Sequence, residues 1–161
     1  MKKILLYASI SVSAGLLFTN IYNSMVDAVS WGADIPHSIE TARQYFHSVN
    51  PGLFFRIFSP VNQVLSLLAL ITFWKSSPKA RLFLVLAFVF YVGCDIFTFG
   101  YFYPRNSIMF GSDSTANVET LRTAFLEWSK MNWLRTFMVF CGLVFSFSAL
   151  NQIMVNTNKT I

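Results

Sequence analysis

An all-α, integral membrane four-helix bundle with two short amphipathic helices on its outer side is the fold that the sequence predicts, and three observations predict it. The chain of 161 residues is 55% hydrophobic and only 12% charged, whereas soluble domains carry roughly 25% charged residues. Four apolar segments, at about residues 4–27, 53–74, 82–103 and 132–154, have the length that crosses a ~30 Å hydrocarbon core. The stretches between them are polar enough to lie outside the bilayer, and two of these repeat their apolar residues at helical spacing. A chain of this length is one domain, so residues 1–161 read as a single four-span unit.

The first segment follows Met1-Lys2-Lys3. A basic start and a short apolar core also describe a secretory signal, and Val12-Ser13-Ala14 has the small residues of a cleavage site. Continuity argues against cleavage: Ser9, Ser13, Leu16, Asn20, Asn23 and Asp27 form one helical face along the whole segment. Beyond it, Asp34 and Pro36 read as a helix start. Ile39, Ala42, Phe46 and Val49 then recur at helical spacing until Asn50-Pro51-Gly52, which gives the first amphipathic helix. Its other side carries His37, Glu40, Gln44 and His47. Two histidines and a carboxylate suit a metal, but they are spread along a solvated face without a third strong ligand, and no metal site is assigned.

The second segment, Leu53 to Trp74, holds Arg56 and Pro60 near its start. The stretch from Pro60 onward is too short to span at 1.5 Å per residue, so Arg56 belongs to the membrane segment. Within a helix Pro60 removes the donor for the Arg56 carbonyl and bends the chain there. Lys75 to Arg81 is a tight basic loop. The third segment, Leu82 to Tyr103, carries Tyr91, Asp95 and Thr98 on one face. By helical rise Asp95 lies about 20 Å into the core, the deepest charge in the chain. Phe97, Phe99, Tyr101, Phe102 and Tyr103 crowd the segment end as an interfacial belt.

Pro104 to Ser112 reads as a loop. Ser114 to Lys130 reads as the second amphipathic helix, through Val118, Leu121, Phe125 and Trp128. The fourth segment, Asn132 to Met154, presents Arg135, Val139, Gly142, Ser146 and Ala149 on its inner face, mostly small residues that permit close helix contact. The tail from Asn156 to Ile161 is polar and has nothing to pack.

Charge placement gives an orientation. Lys2, Lys3, Lys75, Lys79, Arg81 and Lys159 flank one side with no acid among them, and all seven acids lie toward the other. The positive-inside rule then puts both termini in the cytoplasm and both amphipathic helices outside, as in a bacterial inner membrane. The net charge of +5 follows from this asymmetry and calls for no nucleic acid. Cys94 and Cys141 both sit in apolar segments with no Cys-x-x-Cys, which suits buried free thiols rather than a thiol–disulfide enzyme.

The candidate site comes from polar residues inside the spans. Asn20, Asn23 and Asp27 form a stripe at the end of the first segment, and buried polar groups need partners. Partners are available from Arg56, Ser59 and Gln63, from Tyr91, Asp95 and Thr98, and from Asn132 and Arg135. Asp95 is expected to pair with an arginine of another helix, Arg135 before Arg56. The expected cavity opens toward the outer leaflet, with a dry interhelical hydrogen-bond cluster as the alternative.

Thr98, Pro104-Arg105-Asn106 and then Trp128-Ser129-Lys130-Met131-Asn132-Trp133-Leu134-Arg135 resemble a pattern of the anthrone-oxygenase-like family of small four-span membrane proteins. That pattern is Thr, a few residues, Pro-x-Asn, a loop, then Trp-x-x-x-Asn-x-x-Arg. The resemblance covers about Thr98 to Leu143 well and the first half loosely. It implies a four-helix membrane bundle and, as in characterised fungal members, oxygenation of an anthrone to an anthraquinone without metal or flavin. Many bacterial members have no assigned function. Carried over by residue, Asn106, Trp128, Asn132 and Arg135 are the family-type site positions. Asp27 and Asp95 have no counterpart in the pattern.

Two function classes follow. One is a membrane oxidoreductase acting on a lipophilic aromatic or quinone-like molecule, in which Asp95 or Asp27 abstracts a proton while Arg135 and Asn132 stabilise the oxyanion. Asn20, Asn23, Asp27, Arg56, Gln63, Asn106 and Trp128 would line its pocket, and no cofactor is assigned. The other is a non-catalytic membrane protein that binds a small ligand or partner in the same place. The expected partners are membrane lipid and a lipophilic small molecule.

Overall fold

The computed structural model describes residues 2–48, 50–111 and 116–158, and its regular structure is entirely helical. The helices are α1 (Lys2–Tyr22), α2 (Ala28–Gly32), α3 (His37–Tyr45), α4 (Gly52–Thr72), α5 (Pro78–Phe97), α6 (Tyr103–Phe110) and α7 (Val118–Asn158). Two π-helical turns, Asn23–Asp27 and Thr98–Phe102, carry α1 into α2 and α5 into α6 without a break. Four runs, Lys3–Gly32, Gly52–Thr72, Pro78–Phe110 and Val118–Asn156, are long and apolar enough to cross a membrane. The chain is an integral membrane protein.

Around the bundle the order is α1, α4, α5, α7: α1 packs against α4 and α7, and α5 against the same two. The faces that meet are those with small or hydroxyl side chains. Ser9, Ser13, Leu16, Asn20 and Asn23 of the first span are all buried, so the predicted stripe faces inward. On α7, Arg135, Val139, Ser146 and Ala149 are buried and Gly142 touches the ring of Tyr91. The opposite faces expose Phe18, Val64, Ile71, Val89, Phe137 and Phe147, as helices surrounded by lipid do.

Local chemistry sets the ends. Ser77 caps α5 by accepting from Ala80 N at 3.1 Å, with Pro78 in the first turn. The start of α3 differs from expectation, because the Asp34 side chain makes no cap. Instead the Ser38 hydroxyl accepts from Asp34 N and donates to Trp31 O at 2.6 Å, tying the loop to α2.

Two further expectations are corrected. Residues 104–110, read as loop, are helical: Pro104 sits in the first turn of α6, where its missing N–H costs little. The second amphipathic helix and the fourth span are one helix, since no proline or glycine separates Lys130 from Asn132 and nothing there stops the turn. Val49, residues 112–115 and the tail from 159 lie outside the described residues.

The buried side chains form two apolar cores. One runs through the spans and includes Leu6, Leu17, Leu70, Leu84, Val139 and Ile153. The other gathers α2, α3, α6 and the start of α7 around Trp31, Ile39, Phe102, Met109 and Trp128. This second core caps one end of the bundle. Arg43 fastens it by donating from Nε to Met109 O at 2.6 Å and from Nη2 to Ile108 O at 3.3 Å, which satisfies carbonyls at the end of α6.

Candidate functional site

A polar layer separates the two cores. Asn20, Asn23, Ser24, Asn132, Arg135 and Thr136 are buried there and belong to neither apolar cluster. The two π turns lie at its edge. Each replaces an i−4 bond by an i−5 bond, Ala28 N to Asn23 O and Tyr103 N to Thr98 O. Such wide turns inside α-helices occur often at functional sites.

Asn132 is the centre of the layer, fully buried. Its Nδ2 donates to Ser24 Oγ at 2.6 Å and to Asn20 O at 3.3 Å, which joins α7 to the first span. Asn20 uses its own Nδ2 on Leu16 O at 3.1 Å. With its amide turned so that nitrogen faces the acceptors, Asn23 donates to Thr19 O and to Asp27 Oδ2 at 2.8 Å. The three polar residues of the stripe therefore stay together, but only Asn20 reaches α7.

Arg135 is 6% exposed, and its guanidinium carbon stands 4.3 Å from the centroid of Phe102, 5.2 Å from Phe55 and 5.9 Å from Trp128. An aromatic surround of this kind stabilises a cation through the ring faces. Trp128 in turn packs edge-on against Phe102 at 5.7 Å and against Trp31 at 5.2 Å.

Four atoms in this layer lack a partner: Asn20 Oδ1, Asn132 Oδ1, Trp128 Nε1 and Arg135 Nε, and among the described residues no other buried side-chain N or O does. Two accept and two donate. Buried polar atoms without hydrogen bonds are uncommon in folded proteins, and here all of them fall in one layer. Trp128, Asn132 and Arg135 share a face of α7 by their i, i+4 and i+7 spacing.

Asp95 does not form the expected arginine pair. Its Oδ1 accepts from Ser59 Oγ at 2.6 Å and its Oδ2 from Gln63 Nε2, so its partners are neutral donors of α4. No ion pair joins Asp95 to Arg135 among the described residues. The α5 helix borders both α4 and α7, but Ser59 and Gln63, one turn apart on α4, supply donors to both Asp95 oxygens, while the Arg135 guanidinium lies among the rings of Phe55, Phe102 and Trp128. Arg56 is exposed at the start of α4 and Asn106 is half-buried on α6, and among the described residues neither side chain hydrogen-bonds into the layer. Two surface clefts lie elsewhere, between α6 and α7 at Arg105, Thr120 and Glu127, and beside α3 at His37, Glu40 and Arg43. Among the described residues no three His, Cys, Asp or Glu side chains gather, and Glu40 pairs with Arg43 at 3.1 Å. Cys94 and Cys141 are free.

Sequence reasoning missed Ser24, Phe55, Phe102 and Asn62. Ser24 stands four residues after Asn20, a spacing that would have found it. Asn62 and Ser66 form a similar pair four residues apart on α4. Asn62 accepts from Ser9 Oγ at 3.1 Å in a second buried network, where Tyr91 Oη meets Ser146 Oγ at 3.0 Å. Every helix of the bundle contributes to that network.

The fold and this layer define a membrane-spanning helical bundle with a buried polar layer beneath the second apolar core that caps one end. The chain belongs to the anthrone oxygenase family: the family model described as Anthrone oxygenase matches residues 53–145. That range holds Asp95, Asn106, Trp128, Asn132 and Arg135 and leaves out the first span. No curated protein and no solved structure matches the chain.

Proposed function

We propose that this protein is a membrane oxidoreductase that binds a lipophilic, planar aromatic ketone of the anthrone type in the layer around Asn132 and Arg135 and oxygenates it. The observation that carries the reading is the set of four unpartnered atoms, two donors and two acceptors, bordered by the rings of Phe102, Phe55 and Trp128. A flat molecule with ketone and hydroxyl groups complements both the rings and the atoms. Arg135 Nε and Trp128 Nε1 donate to the ketone oxygen, and Asn20 Oδ1 and Asn132 Oδ1 accept from hydroxyls.

The reaction balances with O2 alone as oxidant. The anthrone methylene carbon loses two hydrogens and becomes a carbonyl with one oxygen atom of O2, and the other oxygen leaves as water. Removing the first proton places negative charge on the ketone oxygen, where the N–H donors Arg135 Nε and Trp128 Nε1 stabilise it, whereas the Asn132 amide N–H groups are spent on Ser24 and Asn20. Asp95 is the candidate base, with Asp27 on the far side of Asn23 as the other acid of the layer. Asn23, Gln63 and Ser59 orient these two carboxylates. Asn106 and Arg56 have a place in this reading only at the mouth of the site. The capped end would face outward and the basic loop after α4 the cytoplasm.

Ligand binding without turnover is the second reading, and one observation favours it: both Asp95 oxygens already accept hydrogen bonds. The same assay separates the two. Purified protein in lipid nanodiscs is given anthrone and oxygen, and anthraquinone is followed by its absorbance together with O2 uptake. Oxygenation predicts matched uptake and product, lost in Arg135→Lys and Asn132→Ala. Binding with no O2 uptake above the protein-free rate would leave only the second reading.

A further inference from the structure

Arg105 lies outside the polar layer, yet its contacts lead into it. Its Nη1 donates to Tyr101 O at 2.8 Å, and its guanidinium carbon stacks 3.5 Å from the centroid of the Tyr101 ring. Its Nε donates to Glu127 Oε2 at 2.8 Å and its Nη2 reaches the same oxygen at 2.6 Å. One side chain thereby ties the last residues of the π turn Thr98–Phe102 to α7, at the residue before Trp128. Pro104 in the first turn of α6 supplies no N–H, so an added donor at Tyr101 O serves a stretch of backbone with one fewer of its own.

The next residue along the turn is Phe102, fully buried. Its ring packs on Phe97 at 5.3 Å, on Tyr101 at 5.5 Å and on Trp128 at 5.7 Å, and it is the ring closest to the Arg135 guanidinium. A π turn is not the lowest-energy form of a helix and persists where side chains hold it. Among the described residues, Arg105 makes the only ion pair that joins α6 to α7, and its Nη1 carries that tie to the turn at Tyr101 O.

We infer that Arg105, anchored by Glu127, is a positioning residue: it holds the π turn so that Phe102 lies over Arg135 and sets where the Arg135 guanidinium points. Surface ion pairs contribute little stability by themselves, and the effect here is one of placement. Glu127 takes part by fixing the guanidinium plane, which neither a lysine nor a neutral side chain at position 105 reproduces. The role rests on the reading of Arg135 as part of a ligand site, but the placement exists without any ligand.

The test therefore has a ligand-free arm. Protein labelled with 15N-arginine in nanodiscs gives an Arg135 Nε–H signal, assigned by its loss in Arg135→Lys and displaced by the ring current of Phe102. Arg105→Gln and Glu127→Gln are expected to move that signal toward the position of an exposed arginine. The exchanged pair Arg105→Glu with Glu127→Arg is expected to return it most of the way. An Arg135 signal unchanged in Arg105→Gln overturns the inference, as does a shift matched by a general loss of signal dispersion. Should Arg105→Gln fail to fold, Arg105→Lys, which keeps the charge and loses the fork, is read the same way. In the second arm, binding of 1,8-dihydroxyanthraquinone is expected to weaken about tenfold in Arg105→Gln. If the parent protein does not bind this probe, the ligand reading fails while the nuclear resonance arm still decides the role of Arg105.

Discussion

The ring of Tyr91 occupies the space that a side chain on residue 142 would need: a β-carbon on Gly142 would overlap Cε1 and come within 2.8 Å of Cδ1. The phenol of the same ring meets Ser146 Oγ at 3.0 Å. Gly142 is thus the seat of a tyrosine that links α5 to α7 deep in the bundle.

Gly142→Ala is expected to destabilise the protein despite the better helix propensity of alanine, about 1 kcal/mol in its favour. Overpacking a tight contact costs about 1–3 kcal/mol, and here the neighbour is a ring held by a hydrogen bond. Thermal unfolding in detergent should fall by several degrees. Adding Tyr91→Leu should recover part of the loss in the alanine variant while harming the parent.

Asp95 gives a second expectation. Asp95→Ala strands the Ser59 hydroxyl and the Gln63 amide, which should cost about 2–4 kcal/mol. Asp95→Asn keeps an oxygen for one of the donors and should cost about half of that. Glu119→Ala, at an exposed position in the first turn of α7, serves as the control and should lie within about 0.5 kcal/mol of the parent. Equal small effects for all three would mean that the α4 contacts of Asp95 do not persist in the membrane.

The link between the first span and α7 can be cut at one atom. Ser24→Ala leaves Asn132 Nδ2 with only the longer bond to Asn20 O. A buried donor left short of a partner costs about 1–3 kcal/mol. Ser24→Thr keeps the hydroxyl and should behave like the parent, as should Ser30→Ala at an exposed position. Differential scanning of the four proteins in one detergent compares them.

Much of this bundle was legible because a membrane helix must hide its polar residues. Asn20 and Asn23 could face only inward, and the small face of α7 from Arg135 to Ala149 could face only a neighbour. The partner of each polar group was harder to read. Asp95 was expected to seek an arginine because charge attracts opposite charge, but two neutral donors one turn apart on α4 satisfy both oxygens, and Arg135 lies among aromatic rings instead. The π turns left no sequence signal that spacing rules register, so the helical continuation of the third span past Pro104 read as a loop. The join between the cap and the fourth span was hidden for a related reason. Periodicity marks which face is apolar but not where a helix ends, and α7 runs from the cap through the bundle without a break.

The most direct test of the polar layer as a ligand site is equilibrium binding of 1,8-dihydroxyanthraquinone to the purified protein in nanodiscs, read by quenching of tryptophan fluorescence. The parent protein is expected to bind saturably. Asn132→Ala and Arg135→Lys should each weaken binding about tenfold or more, as losing a buried hydrogen-bonding group does, while Glu119→Ala, at an exposed position in the first turn of α7, should leave it unchanged. Partitioning into the lipid with no saturation, or equal binding by all four proteins, would contradict a ligand site at Asn132 and Arg135.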